Sequence, residues 1–177
     1  MNWKNLGIVG LAATSLWAAG ASGSSSGSSS SDSSSGSSSK SSAAAVGIGQ
    51  PASDGKFTFT VNSVKCGIPS VGDTSSGLGA TAQGQFCAVN MTVKNTGTEA
   101  QEFLASSQYA FNAAGNKLED STDAEIWADQ AQNVLSSINP GNSITTDVYY
   151  DIPTDSSITK FELHDGLFSG GVTVNNK

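Results

Sequence analysis

The stretch Cys87-Ala88-Val89-Asn90-Met91-Thr92-Val93-Lys94-Asn95-Thr96-Gly97 decides the fold. Apolar side chains fall on every second residue and polar ones between them, ending in an Asn-Thr-Gly turn. A period of two is that of a half-buried β-strand, whose side chains point alternately to the two faces of a sheet. The same alternation recurs at Phe57, Phe59 and Val61, at Tyr109 and Phe111, and at Ile144, Thr146, Val148, Tyr150 and Ile152. It returns at Phe161 and Leu163, and a last strand is expected from Val172 to Val174. Turn chemistry separates these runs at Asp54-Gly55, Asn95-Thr96-Gly97, Ala114-Gly115-Asn116, Asn139-Pro140-Gly141 and Asp165-Gly166. About seven short antiparallel strands joined in this way predict an all-β, immunoglobulin-like sandwich.

Two segments depart from the alternation. Residues 67–84 are rich in Gly, Ser and Thr and are expected to form a long mobile loop. Residues 121–136 place Ala124, Ile126, Trp127, Ala131, Val134 and Leu135 at roughly helical spacing behind an acidic start, which predicts a short helix crossing the sandwich.

Upstream, residues 22–42 hold sixteen serines, three glycines, one aspartate and one lysine. With no aliphatic or aromatic side chain to bury, such a run is expected to be a flexible tether. Before it, Lys4, the apolar residues 6–17 and the small-x-small pattern Ala19-Gly20-Ala21 have the order of a secretory signal cleaved after Ala21. The chain thus divides into a signal peptide (1–21), a Ser/Gly tether (22–45) and one folded domain (46–177). The alternative is an uncleaved membrane tether, although a span needs about 20 apolar residues. No cysteine precedes Cys66, so a lipid anchor is not expected.

The folded segment carries six lysines, no arginine and fourteen carboxylates, a formal charge of 6 − 14 = −8. That balance disfavours nucleic acid and anionic lipid, and the absence of arginine removes the bidentate clamp typical of phosphate sites. The two cysteines, Cys66 and Cys87, read as a disulfide in an exported chain. It would close a ring of about twenty residues and stabilise the fold by roughly 3 kcal/mol. With a single histidine and no Cys-x-x-Cys, a cysteine metal site is not expected.

Chemical motifs are sparse. Gly23-Ser24-Ser25-Ser26-Gly27 matches a nucleophile elbow only formally, because it lies in the serine tract rather than at a strand-to-helix turn. Asn90-Met91-Thr92 fits the glycosylation pattern but falls within a strand. His164 follows the inward positions Phe161 and Leu163 and is expected to face solvent with no nucleophile or orienting group in reach. Glu119, Asp120, Asp123, Glu125 and Asp129 could offer oxygen ligands to calcium, yet their spacing lacks the Asp-x-Asp-x-Asp-Gly loop; a solvated acidic helix start explains them as well. Trp127 and Tyr149 are expected at the rim or outer face, where exposed aromatics serve as binding hot spots.

Val93-Lys94-Asn95-Thr96-Gly97, residues 109–118 with Gly115, Asn139-Pro140-Gly141 leading through Val148-Tyr149-Tyr150-Asp151-Ile152-Pro153, and Phe161-Glu162-Leu163 followed by Leu167-Phe168-Ser169-Gly170 together resemble a known family. It is the telokin-like immunoglobulin-fold domain of unknown function found in exported proteins and lipoproteins of Gram-positive bacteria. The resemblance spans about residues 46–177 and implies a β-sandwich outside the membrane, with no established activity and no catalytic residues to transfer. This chain departs from many relatives in lacking a lipid-accepting cysteine.

The resulting expectation is a secreted or cell-surface binding or adhesion module without enzymatic activity and without a cofactor. Its partner would be a protein or cell-envelope ligand. A calcium-dependent structural domain built on the acidic cluster is the rival.

Overall fold

The computed structural model describes residues 46–133 and 136–177, so the expected signal peptide and tether lie outside the described residues. Eleven strands form among those described. One layer is a five-stranded sheet in the order β1 (Val46–Gly47), β11 (Val172–Asn175), β10 (Ile158–Leu163), β6 (Tyr109–Asn112) and β7 (Lys117–Leu118). The other is four-stranded: β2 (Pro51–Asp54), β3 (Phe57–Asp73), β4 (Leu78–Asn95) and β9 (Ser143–Ile152). A two-stranded ribbon of β5 (Gln101–Glu102) and β8 (Ser137–Ile138) completes the set. Pairing is antiparallel throughout except for β1 with β11.

The inward residues of the alternating runs make the main core. Phe57, Phe59, Val61, Cys87, Val89, Met91, Val93, Val148, Tyr150 and Ile152 from one sheet meet Ala110, Phe161, Leu163 and Val174 from the other, with Phe103 and Ile138 sealing the ribbon end. The strand count exceeds seven because β1, β5, β7 and β8 are two-residue pairings too short to show a period in sequence.

Residues 67–84 are not a loop. β3 and β4 continue through them as a two-stranded arm, paired from Ser70↔Thr81 to Asp73↔Leu78 and closed by a single turn of 3-10 helix at Thr74–Ser76. The Asp73 carboxylate caps that turn by accepting from the Ser75 and Ser76 N–H groups, and Gly77 closes it at φ 79°. The disulfide joins Cys66 to Cys87 at the root of the arm. There the register passes from Lys65↔Ala88 to Ile68↔Phe86, so Cys66 and Gly67 share the place opposite Cys87. Gly67 adopts φ 82°, the left-handed conformation that such a bulge requires. The bridge pins a bulge at the root of the arm, just before a second break in register at which Ala82–Gln85 stand opposite Pro69 between Ile68↔Phe86 and Ser70↔Thr81.

Tyr150 is fully buried and its hydroxyl donates to Gln108 O at 3.1 Å. Tyr150→Phe strands that carbonyl while filling nearly the same volume, and is expected to lower stability by about 1 kcal/mol in urea unfolding.

Candidate functional site

The outer face of the four-stranded sheet carries a second, smaller core. Ala80, Phe86 and Tyr149 pack there against Ala124, with Ile68, Val71, Ala82, Ala88 and Ala128 around them. The covering element is α1 (Thr122–Trp127), a six-residue helix capped by Ser121, whose Oγ accepts from the Ala124 N–H at 3.5 Å. It is shorter than the sequence spacing predicts, and a turn of 3-10 helix follows at Ala131–Asn133. The chain is tied down just before it by the Ser121 N–H, which donates to Tyr149 O at 2.6 Å. The alanines of β4 leave room for the helix to lie close to the sheet.

Trp127, at the end of α1, seats against the arm. A Cβ at Gly72 would lie 2.9 Å from the Trp127 Cβ and 2.5 Å from Leu78 O, so the glycine is what permits this approach. Around that contact Leu78 is 55%, Ile126 55% and Trp127 38% exposed. Leu78 and Trp127 thus stand partly in solvent where α1 meets the arm, and Ile126, next to Trp127 in the chain, is exposed as well. Tyr149, expected at the rim, faces outward from the sheet but is only 9% exposed, because α1 and an edge-on contact with Phe86 (ring centroids 6.4 Å apart) cover it. It belongs to the base of this site and not to its surface.

The acidic cluster does not converge. Glu119, Asp123 and Asp129 are exposed, and Asp120 accepts from Thr122 Oγ1 at 3.1 Å. Among the described residues no three His, Cys, Asp or Glu side chains gather as a cation site. Glu125 is turned inward, 3% exposed, and accepts from the Tyr149 N–H at 3.3 Å. Burial, with the Asp120 charge adding to it, pushes its carboxyl up to about 8 against the opposing pull of that hydrogen bond. Helical spacing alone could not reveal this, since an acidic residue in a first turn normally faces water.

His164 also departs from expectation. Its ring is mostly buried, edge-on to Tyr109 and packed over Gly171, with Nε2 3.1 Å from Glu162 Oε1 and Nδ1 3.3 Å from Ser169 Oγ. Gln108 fixes its backbone, donating from Nε2 to His164 O (3.0 Å) and accepting the His164 N–H (2.9 Å). The order carboxylate, imidazole, hydroxyl resembles a nucleophile relay, but the Ser169 hydroxyl has a shorter bond to Gly166 O at 3.1 Å. Glu162 is open to water, which screens it as an orienting charge. These groups clasp the loop between β10 and β11, whose tip holds Leu167 and Phe168 in solvent.

Two packed sheets, a disulfide-pinned arm and a helix seated on the outer face define an immunoglobulin-like β-sandwich. The chain belongs to the family described as a domain of unknown function (DUF4352), which it matches over residues 46–174. Among solved structures it is similar to the yjhA protein from Bacillus subtilis, at 13% identity and TM-score 0.53 over 75% of this chain and 99% of that one. It is likewise similar to a conserved hypothetical protein from Bacillus anthracis, at 19% identity and TM-score 0.51 over 72% and 94% of the two chains. A third likeness is to MPT63, a secreted protein from Mycobacterium tuberculosis, at 14% identity and TM-score 0.53 over 73% and 94%. Identities this low carry the fold alone. No curated protein matches the sequence.

Proposed function

We propose that the protein is an exported, non-enzymatic binding module, working at the cell surface or in the medium, which grips its ligand with the face around Trp127. The observation that supports this reading is Trp127, exposed where α1 seats on Gly72 beside Leu78, on a packed base. Exposed aromatics on rigid supports bind at low entropic cost and dominate interface energetics. Export is supported by the Cys66–Cys87 bridge, which suits an oxidising compartment, and by the secreted protein among the similar structures.

The test is chemical crosslinking in the native culture with partners identified by mass spectrometry. Trp127→Ala is expected to deplete the captured partner about tenfold or more, the loss typical of a hot spot. Ser53→Ala, remote from the arm tip, is expected to leave capture unchanged. Equal capture by the wild type and Trp127→Ala, with an unaltered circular dichroism spectrum, removes Trp127 from the binding face.

A further inference from the structure

α1 packs on the four-stranded sheet and leaves the outer face of the five-stranded sheet open. Ala110, Phe161 and Val174 point from that sheet into the core, so the positions between them point outward. They form two rows across the strands. Asn175, Lys160, Phe111 and Lys117 make one, and Thr173, Glu162 and Tyr109 make the next.

An outward sheet face is ordinarily polar, yet this one carries two partly exposed aromatic rings, about 7 Å apart along β6. Each ring is held in place. Lys117 Nζ lies 3.3 Å from the centroid of the Tyr109 ring, which His164 also meets edge-on at 5.4 Å, and Lys160 Nζ lies 4.2 Å from the centroid of Phe111. The groups around the rings offer hydrogen bonds of both senses: the ammoniums donate, the Glu162 carboxylate accepts, and the Asn175 amide and Thr173 hydroxyl do both. Their charges nearly cancel, Lys117 and Lys160 standing against Glu162 and, just past β7, the exposed Glu119. Neither a polyanion nor a polycation finds a complementary field on this face.

We infer that this face is a second binding site, separate from the one around Trp127, and that its ligand is a neutral polysaccharide. A sugar ring presents C–H groups on its flat side and hydroxyls at its edge. The C–H groups rest on the electron-rich face of an aromatic ring, and the hydroxyls both donate and accept. Tyr109 and Phe111 supply two such platforms, with Lys160, Glu162 and Asn175 placed beside them for the hydroxyls. As a sugar arrives, the ammonium leaves the ring face that it covers and donates to a hydroxyl instead. That exchange is cheap, because an exposed ammonium is only weakly held on a ring. The three strand spacings from β11 to β7 give about 14 Å of surface, on which a polymer can lie across several strands without needing a pocket. The inference goes beyond the reading of Trp127 and uses none of its residues.

Affinity electrophoresis of the protein through gels containing dextran, mannan or mixed-linkage β-glucan tests it. At least one of these neutral polymers is expected to retard the protein, and the retardation is expected to persist as salt is raised. Phe111→Ala and Tyr109→Ala are each expected to weaken the apparent affinity at least about tenfold, while Ser53→Ala, on the other sheet, leaves it unchanged. Thr173→Arg keeps both rings and places bulk on the face; it is expected to weaken binding as much, so the test stands even where an alanine variant fails to give the wild-type circular dichroism spectrum. Migration unaffected by all three polymers overturns the inference. So does retardation that Phe111→Ala and Thr173→Arg leave intact, or retardation that only polygalacturonate produces and salt abolishes. Retardation lost in Trp127→Ala and kept in Phe111→Ala assigns the polymer to the other face and overturns it as well.

Discussion

Asn95→Ala is expected to lower the unfolding free energy by about 3 to 4 kcal/mol, an effect set by three hydrogen bonds lost from one buried side chain. Asn95 is fully buried at the end of β4. Its Nδ2 donates to Glu99 O and to Ile138 O, each at 2.7 Å, and its Oδ1 accepts from the Gly97 N–H at 2.8 Å. Its backbone N–H donates to Asn142 O at 3.0 Å, and its O accepts from the Gly141 N–H at 2.9 Å. One residue thereby ties the turn after β4, the β5–β8 ribbon and the approach to β9 into one corner. Alanine removes the side-chain partner of the Gly97 N–H and of Ile138 O, and leaves Glu99 O only the long 3.5 Å bond from Gln101 Nε2. Asn95→Asp is expected to be at least as costly, because it removes both donors and aims a carboxylate at two carbonyl oxygens. Urea unfolding of the two variants measures the effect; a loss below about 1 kcal/mol for Asn95→Ala would show that water replaces these bonds.

The same residue shows what sequence can and cannot reveal. Asn95-Thr96-Gly97 is legible as a turn because its residue types suit one, and the turn is there. That the amide reaches Ile138 in β8, 43 positions away, depends on a contact only the folded chain makes. The alternating runs from Phe57, Cys87, Ile144 and Phe161 are legible for the opposite reason, since a period of two is the local imprint of a sheet with one buried face. In the arm the composition of Gly, Ser and Thr outweighs a real alternation: Ala80, Ala82, Phe86 and Ala88 share the outer face that α1 covers. Small residues look like loop when the element packed on them is unseen. Tyr149 and Glu125 are misjudged together, because each hides the other. Trp127 is readable as exposed, and its seat on Gly72 is not, since a glycine contact leaves no trace in periodicity. His164 reads as outward from strand parity alone. Its clasp depends on Ser169 and Gly171, which the chain brings back only after a turn.

The buried carboxyl at Glu125 makes stability fall as pH rises. In the unfolded chain it titrates near its ordinary 4.5, and in the folded protein near 8, chiefly through burial and secondarily through Asp120. A carboxyl raised on folding favours the neutral form. Its contribution is fully present below about pH 4.5, shrinks as pH rises, and is gone once pH passes about 8. The difference amounts to about 5 kcal/mol across that window. The other ionisable groups packed around this seat, Tyr149 and Tyr150, are raised above 10, chiefly by burial and further by neighbouring carboxylates, and stay neutral throughout. Asp73, whose carboxyl is lowered by its bonds to Ser75 and Ser76, acts in the opposite sense and at more acid pH. Glu125→Gln keeps an oxygen for the Tyr149 N–H and cannot ionise. It is expected to remove most of the pH dependence between about pH 5 and about pH 8 and to exceed the wild type in stability at the alkaline end. Parallel urea titrations of the two proteins decide the matter: curves that stay parallel would mean that α1 already lifts to let water reach the carboxylate. Because α1 also seats Trp127 on Gly72, the charge on Glu125 acts on the proposed binding face through the helix. Alkaline weakening of ligand capture that Glu125→Gln abolishes is the corresponding result in function.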